Sequence, residues 1–316
     1  MNGYAWWLRQ ARTVVTSVGV RQLDDRVVDV RGPDARSWLN GQLTADVRAI
    51  TPGEVRYALV LHVKGRILSD AWVLDRGESF SLLLPAAAHD AVIERFEQHI
   101  IMEDVELSTA PDRRVLTAQG PAAPSLDLAG AERWPTRRLG SRGVDFIVPA
   151  DHVAEAWTRL CERAGALGGE PLSDPAWELA RLRAAVPRFG IDFGPRCYPQ
   201  EAGLHRGAVS FTKGCYVGQE VVVMLEHRGH ASRRLVALSI EGLEPLREDA
   251  AITTVDGEPA GEITSSAADP EAGTVRALGY VRRKLLERGE PLRVDGRSAI
   301  VVGDAVDPGL AASAIR

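Results

Sequence analysis

Hydrophobic positions recur along the chain with two periods. Residues 27–30 are a short apolar run that predicts a strand. After a turn at Gly32 and Pro33, Ala35, Trp38, Leu39 and Leu43 follow the spacing of a short amphipathic helix. Two apolar stretches, 55–63 and 66–74, flank Lys64 and Gly65 and predict a hairpin. Residues 80–84 fit a buried strand, and 89–100 a helix with Val92, Phe96 and Ile100 on one face. Further strands are expected at 105–107, 114–118 and 146–148. Residues 151–164 read as a helix, with Asp151 as N-cap, Gly165 as stop, and Val153, Trp157, Leu160 and Cys161 on one face. That face makes Cys161 a core thiol. Asp174 and Pro175 open another helix with Leu179, Leu182 and Val186 as its apolar stripe, stopped by Pro187.

The pattern changes at Leu235. Short strands are expected at 235–240, 260–265, 277–281, 292–294 and 298–302, separated by turns rich in Gly, Pro and Asp. This tail predicts a small all-β barrel or sandwich. Before it, strands and helices mix without βαβ regularity, so the fold class is α+β. The expected division is an α+β region over 1–234 and a C-terminal β-barrel over 235–316. There is no repeat and no glycine-rich phosphate loop.

A length of 316 residues suits about two domains. The net charge of −5 argues against a nucleic-acid partner. No apolar run reaches the ~18 residues of a membrane span, and no signal core is present, so a cytoplasmic protein is expected. Cys161, Cys197 and Cys215 cannot form a disulfide framework, and without a C-x-x-C no metal site is expected. Of 38 basic residues only Lys64, Lys213 and Lys284 are lysine, which raises the question of what lysine does that arginine cannot.

Residues 211–220, Phe-Thr-Lys-Gly-Cys-Tyr-Val-Gly-Gln-Glu, place a cysteine two positions after a lysine and between glycines. A nearby ammonium favours thiolate, the reactive form, so Cys215 and Lys213 are candidate catalytic residues. The run Lys-Gly-Cys-Tyr-Val-Gly-Gln-Glu resembles the signature of the YgfZ family, folate-binding proteins of iron–sulfur cluster maintenance. Four further runs resemble blocks of that family: Gly32 to Val47, Lys64-Gly-Arg-Ile-Leu-Ser-Asp70, Pro199-Gln-Glu-Ala-Gly-Leu204, and Ala277-Leu-Gly-Tyr-Val-Arg-Arg283. The wider superfamily includes the glycine-cleavage T-protein, an aminomethyltransferase that uses tetrahydrofolate. The resemblance implies an aminomethyltransferase-like folate-binding part, a C-terminal barrel and a central folate cavity.

It also implies roles. Asp70 matches the acid used near the folate nitrogen, where a carboxylate steers or accepts a proton. Trp177 stands where the family places a folate-binding tryptophan, and Arg26 where it places another. Arg228, Tyr216, Gln219 and Glu220 are the remaining expected folate contacts. Two positions depart from the T-protein: Cys215 replaces an acidic residue, and Arg183 replaces the glutamate that holds the pterin. The leading expectation is a tetrahydrofolate-binding protein that supports iron–sulfur enzymes or their assembly factors through Cys215. The alternatives are a folate-dependent aminomethyl- or methyltransferase using Asp70, and a scaffold that has lost folate.

Overall fold

The computed structural model describes residues 5–227, 229, 231–247 and 249–310. Its strands are β1 (Gly19–Leu23), β2 (Arg26–Arg31), β3 (Val55–Leu61), β4 (Ile67–Asp75), β5 (Phe80–Leu84), β6 (Glu106–Thr109), β7 (Arg113–Gln119), β8 (Glu132–Thr136), β9 (Gly143–Pro149), β10 (Glu170–Pro171), β11 (Arg233–Glu241), β12 (Ala251–Thr254), β13 (Pro259–Asp269), β14 (Thr274–Arg282), β15 (Leu292–Val294) and β16 (Arg297–Asp304). The helices are α1 (Ala5–Thr16), α2 (Ala35–Gln42), α3 (His89–Glu97), α4 (Val153–Ala166), α5 (Asp174–Arg183), α6 (Gln219–His227) and α7 (Arg283–Arg288). None of the described helices is long and apolar enough to cross a membrane.

The strands form two five-stranded sheets, ordered β10-β1-β7-β9-β8 and β3-β4-β5-β2-β6, and a closed antiparallel barrel, β11-β14-β13-β12-β15-β16. The α+β class with a C-terminal barrel is therefore the architecture observed. The second sheet is buried on both faces, which is why its strands read as continuous apolar runs. Ala58, Val60, Ala71 and Val73 face α2 and α3. Tyr57, Leu59, Leu61, Trp72 and Leu74 alternate with them and face a core shared with the first sheet and the barrel, through Val115, Ile147, Leu235 and Tyr280. The three modules meet at that core.

Helix ends depart from the sequence reading. α4 starts at Val153 after a 3-10 turn, with His152 rather than Asp151 in the cap position, and runs through Gly165. α5 is capped by Ser173, whose side chain accepts from the Ala176 amide, so Asp174 and Pro175 lie inside the first turn. Cys161 is half-buried against the first sheet, and burial followed by the Glu162 charge raises its thiol pKa. α1, α6, β1, β8 and β12 were not legible in the pattern. α6 carries a β-branched run, Val221 to Val223, that suits a strand equally well.

Candidate functional site

A cavity of about 440 Å³ opens where β4, the β1–β2 connection and α5 converge. The β3–β4 hairpin supplies its catalytic-looking wall. Tyr57 pairs across the ladder with Trp72, and Leu59 with Asp70. Asp70 and Trp72 are two residues apart, so they share the face that Tyr57 occupies. The Tyr57 hydroxyl donates to Asp70 Oδ2 at 2.9 Å, while Oδ1 is buried and has no hydrogen-bond partner among the described residues. Burial pushes the Asp70 carboxyl up to about 6; the Asp25 charge adds to this, and the Tyr57 bond and Arg138 oppose it. Burial and the Asp70 charge likewise raise Tyr57 well above an ordinary phenol.

Arg138 sits behind this carboxylate. It donates to Asp25 at 2.6 Å and to Asp145 at 2.7 Å, and its guanidinium lies over the Trp72 ring. Burial disfavours its charge, but Asp145 and Asp25 more than compensate and raise its pKa. Asp25, for its part, is raised by burial against the pull of Arg138. Trp177 from α5 and Phe189 complete an aromatic wall, and Arg21 lies over the Trp177 ring at 5.4 Å. A flat heteroaromatic ligand with hydrogen-bond donors on its edge suits such walls and the unpartnered Asp70 oxygen.

The structure thus brings together Asp70 and Trp177 of the residues singled out in the sequence. Arg26 is exposed at the start of β2 and does not line the cavity; its neighbour Asp25 does. Arg228 lies outside the described residues. Tyr57, Asp25 and Arg138 were missed. A hairpin centred on Lys64 and Gly65 already sets Tyr57 opposite Trp72 and Leu59 opposite Asp70, so Tyr57 was recoverable from register.

The cysteine segment is elsewhere. Lys213 Nζ donates to the carbonyls of Asn40, Leu43 and Ala45 at 2.5, 2.8 and 2.7 Å, and the Val217 amide donates to Gly41 at 3.0 Å. Together they satisfy carbonyls at and just beyond the C-terminal end of α2, where a cation is favoured. Burial lowers the Lys213 pKa to about 8. Its donors are directed at the backbone, so the expected tuning of Cys215 by Lys213 is replaced by an anchoring role. Tyr216 is buried over the Lys213 ammonium, with its hydroxyl unpartnered among the described residues. Gly218 has φ +82, and a Cβ there would lie 2.5 Å from the His62 carbonyl. The segment is therefore pinned to α2 and to the tip of the β3–β4 hairpin, and Cys215 is exposed. Gln219 and Glu220 open α6 and border an outer groove with Met224 and His227. None of these lines the cavity, so they are not placed to hold a ligand in it.

Arg183 is also turned away. It clamps the barrel's Asp269 through Nε at 3.0 Å and Nη2 at 2.5 Å, and reaches Glu271 at 2.9 Å. Cys197, which matched no motif, is buried and accepts a hydrogen bond from the Tyr280 hydroxyl at 3.1 Å, joining its loop to the barrel.

Comparison with known proteins adds lineage to this geometry. Residues 4–130 match the GCVT N-terminal domain, and residues 233–308 match the glycine cleavage T-protein C-terminal barrel domain. An aminomethyltransferase of Rubrobacter xylanophilus is 30% identical over 80% of this chain and 73% of its own length. The chain belongs to the aminomethyltransferase family. An aminomethyltransferase of Corynebacterium jeikeium is 27% identical over 90% of the chain and 84% of its own length. The glycine cleavage system aminomethyltransferase T of Bartonella henselae shares the fold, with a TM-score of 0.83 at 23% identity, covering 96% of this chain and 90% of that one. These relatives fix membership at the level of the aminomethyltransferase superfamily and not at the finer YgfZ level that the cysteine signature resembles. Arg183, where the sequence resemblance implies a glutamate, is here a strut between α5 and the barrel.

Proposed function

We propose that the chain is a cytoplasmic protein that binds a tetrahydrofolate species in the central cavity and carries out aminomethyl-type one-carbon chemistry with Asp70. The observation that carries this reading is the Asp70 carboxyl in the cavity lining, held by Tyr57 on Oδ2, with Oδ1 buried and unpartnered among the described residues. The relatives, named aminomethyltransferases, support it. The residues present fit the group. Trp177 and Phe189 offer faces to a flat ring, and Asp70 offers an acceptor to its N–H edge. Bound tetrahydrofolate supplies the nitrogen that receives the one-carbon unit. Asp70, with a pKa of about 6, is mostly ionised at neutral pH and takes a proton at its free oxygen. Tyr57 fixes the carboxylate's orientation, and the Arg138–Asp25 pair stiffens the wall behind it. Asp70→Asn is expected to lower turnover of an aminomethyl donor by about 10²–10⁴-fold while folate affinity stays within a few-fold. Unchanged turnover, or no folate binding by the wild type, would overturn the reading.

A second reading is favoured by one observation: Cys215 is exposed on a segment rigidly fixed to α2. In this reading the protein supports iron–sulfur enzymes or their assembly factors, with the Cys215 thiol meeting the partner outside the cavity. Cys215→Ser would then bind folate normally yet fail to restore cluster-dependent enzymes in cells lacking the protein. Aminomethyl turnover that survives Cys215→Ser, with full restoration of those enzymes, assigns the protein to the first reading.

A further inference from the structure

α6 is more apolar than its own packing requires. Val221 rests on Gly65 at the hairpin tip, and Val222 is the one buried residue of the helix. The opposite side carries a second stripe, Glu220, Val223, Met224 and His227, at i, i+3, i+4 and i+7. With Gln219, these four residues line the outer groove, which has a volume of about 700 Å³. Met224 stands out from the stripe and is 52% exposed. Neither Glu220 nor His227 makes a side-chain hydrogen bond or ion pair among the described residues; the His227 ring only meets the Phe211 ring, at 6.5 Å between centroids. The stripe therefore has an apolar centre between two free polar ends of opposite character.

We propose that this stripe pairs with the same stripe of a second copy of the chain, the two α6 helices lying antiparallel about a two-fold axis. The order of the residues selects that partner. An axis passing between Val223 and Met224 sets Val223 of one copy against Met224 of the other, and Glu220 against His227, each twice. Apolar side chains meet at the centre, and a carboxylate meets an imidazole at both rims, so the stripe is complementary to itself. A parallel arrangement would instead bring Glu220 against Glu220 at one rim. Antiparallel helices also set their dipoles in opposition, which is the favourable sense. A nine-residue helix is roughly 14 Å long, so the contact is small and the pairing belongs to the weak, reversible class. This inference is independent of both functional readings, since neither the cavity nor the Cys215 thiol enters it.

The test is sedimentation equilibrium of the full chain from about 10 µM to about 1 mM, a range that covers weak pairing. The average mass of the wild type should climb from monomer toward dimer, and Met224→Lys should hold it at the monomer throughout. Glu220→Lys and His227→Glu each remove the opposite pairing at both rims, and each alone should weaken self-association about tenfold or more. Mixed one to one, the two variants meet with opposite charges at both rims and should regain the rise in mass. That recovery needs both variants folded, so it separates a lost contact from a lost fold. A wild type that stays monomeric at every concentration overturns the inference and leaves the stripe to a different protein. Dimers that persist in Met224→Lys place self-association on another face and also overturn it. So does a mixture that stays monomeric while each variant melts as cooperatively as the wild type.

Discussion

Lys213 answers the question posed by the scarcity of lysine. An ammonium projects donors in three dimensions and reaches three converging carbonyls; a planar guanidinium cannot. Lys213→Ala should therefore lower stability by about 2–4 kcal/mol, read from urea unfolding, and Lys213→Arg should not restore it. A loss below about half a kcal/mol would remove the anchoring role. Asp70 gives a pH signature. Its pKa rises from 3.8 to about 6 on folding, so the folded state holds the proton more tightly than the unfolded one. Its contribution to stability thus falls as pH climbs through that window and is constant above it. Asp70→Asn should gain stability relative to the wild type between about pH 4 and 7, on the order of 3 kcal/mol in all, and no more at higher pH. A difference in melting temperature that is flat with pH would show that the carboxyl is not desolvated. Asp70 and Trp177 were readable because each stands alone in a recognisable run. Lys213 was located correctly but misassigned, since proximity in sequence to Cys215 said nothing of the carbonyls 168–173 residues away.

At the scale of elements, the β3–β4 hairpin links two places. Its middle carries Tyr57, Asp70 and Trp72, and its turn packs against Gly218. Five residues of strand separate Gly65 from Asp70, roughly 15 Å, which is why the cysteine segment and the cavity are distinct sites on one element. Gly218→Ala combines a left-handed backbone with a Cβ 2.5 Å from a carbonyl oxygen and should cost about 2–3 kcal/mol. Gly214→Ala, with open space around it, should stay within about half a kcal/mol. Equal melting temperatures for the two variants would contradict the packing described. Strands with strong apolar runs and the barrel were legible in the sequence. The short pairings of β1 and β8 were not, because they are defined by partners distant in sequence.

The whole molecule depends on joints between modules. Arg183 on α5 holds Asp269 of the barrel, and together with Arg276 it keeps that carboxyl below its usual range despite burial. Because the folded pKa is depressed, this joint is fully present above about pH 4 and weakens as pH falls through the folded value. Arg183→Glu would face Asp269 and Glu271 with a third carboxylate and should destabilise by more than about 3 kcal/mol at neutral pH. It should not improve folate binding; tighter binding with intact stability would contradict the strut role and restore the pterin contact that the sequence resemblance implies. No sequence period announces such a joint, since its two ends are 86 residues apart.

The Lys213 anchor also has a consequence in time. The carbonyls it serves lie near residue 40, and Lys213 reaches Asn40 across 173 positions. At about 5–20 residues per second, a ribosome needs roughly ten to thirty seconds to deliver that lysine after α2 has emerged. Throughout that interval the end of α2 has nothing to close it. Until the segment bearing Cys215 arrives, those carbonyls are left to water, and the step that displays the thiol is the same step that closes α2.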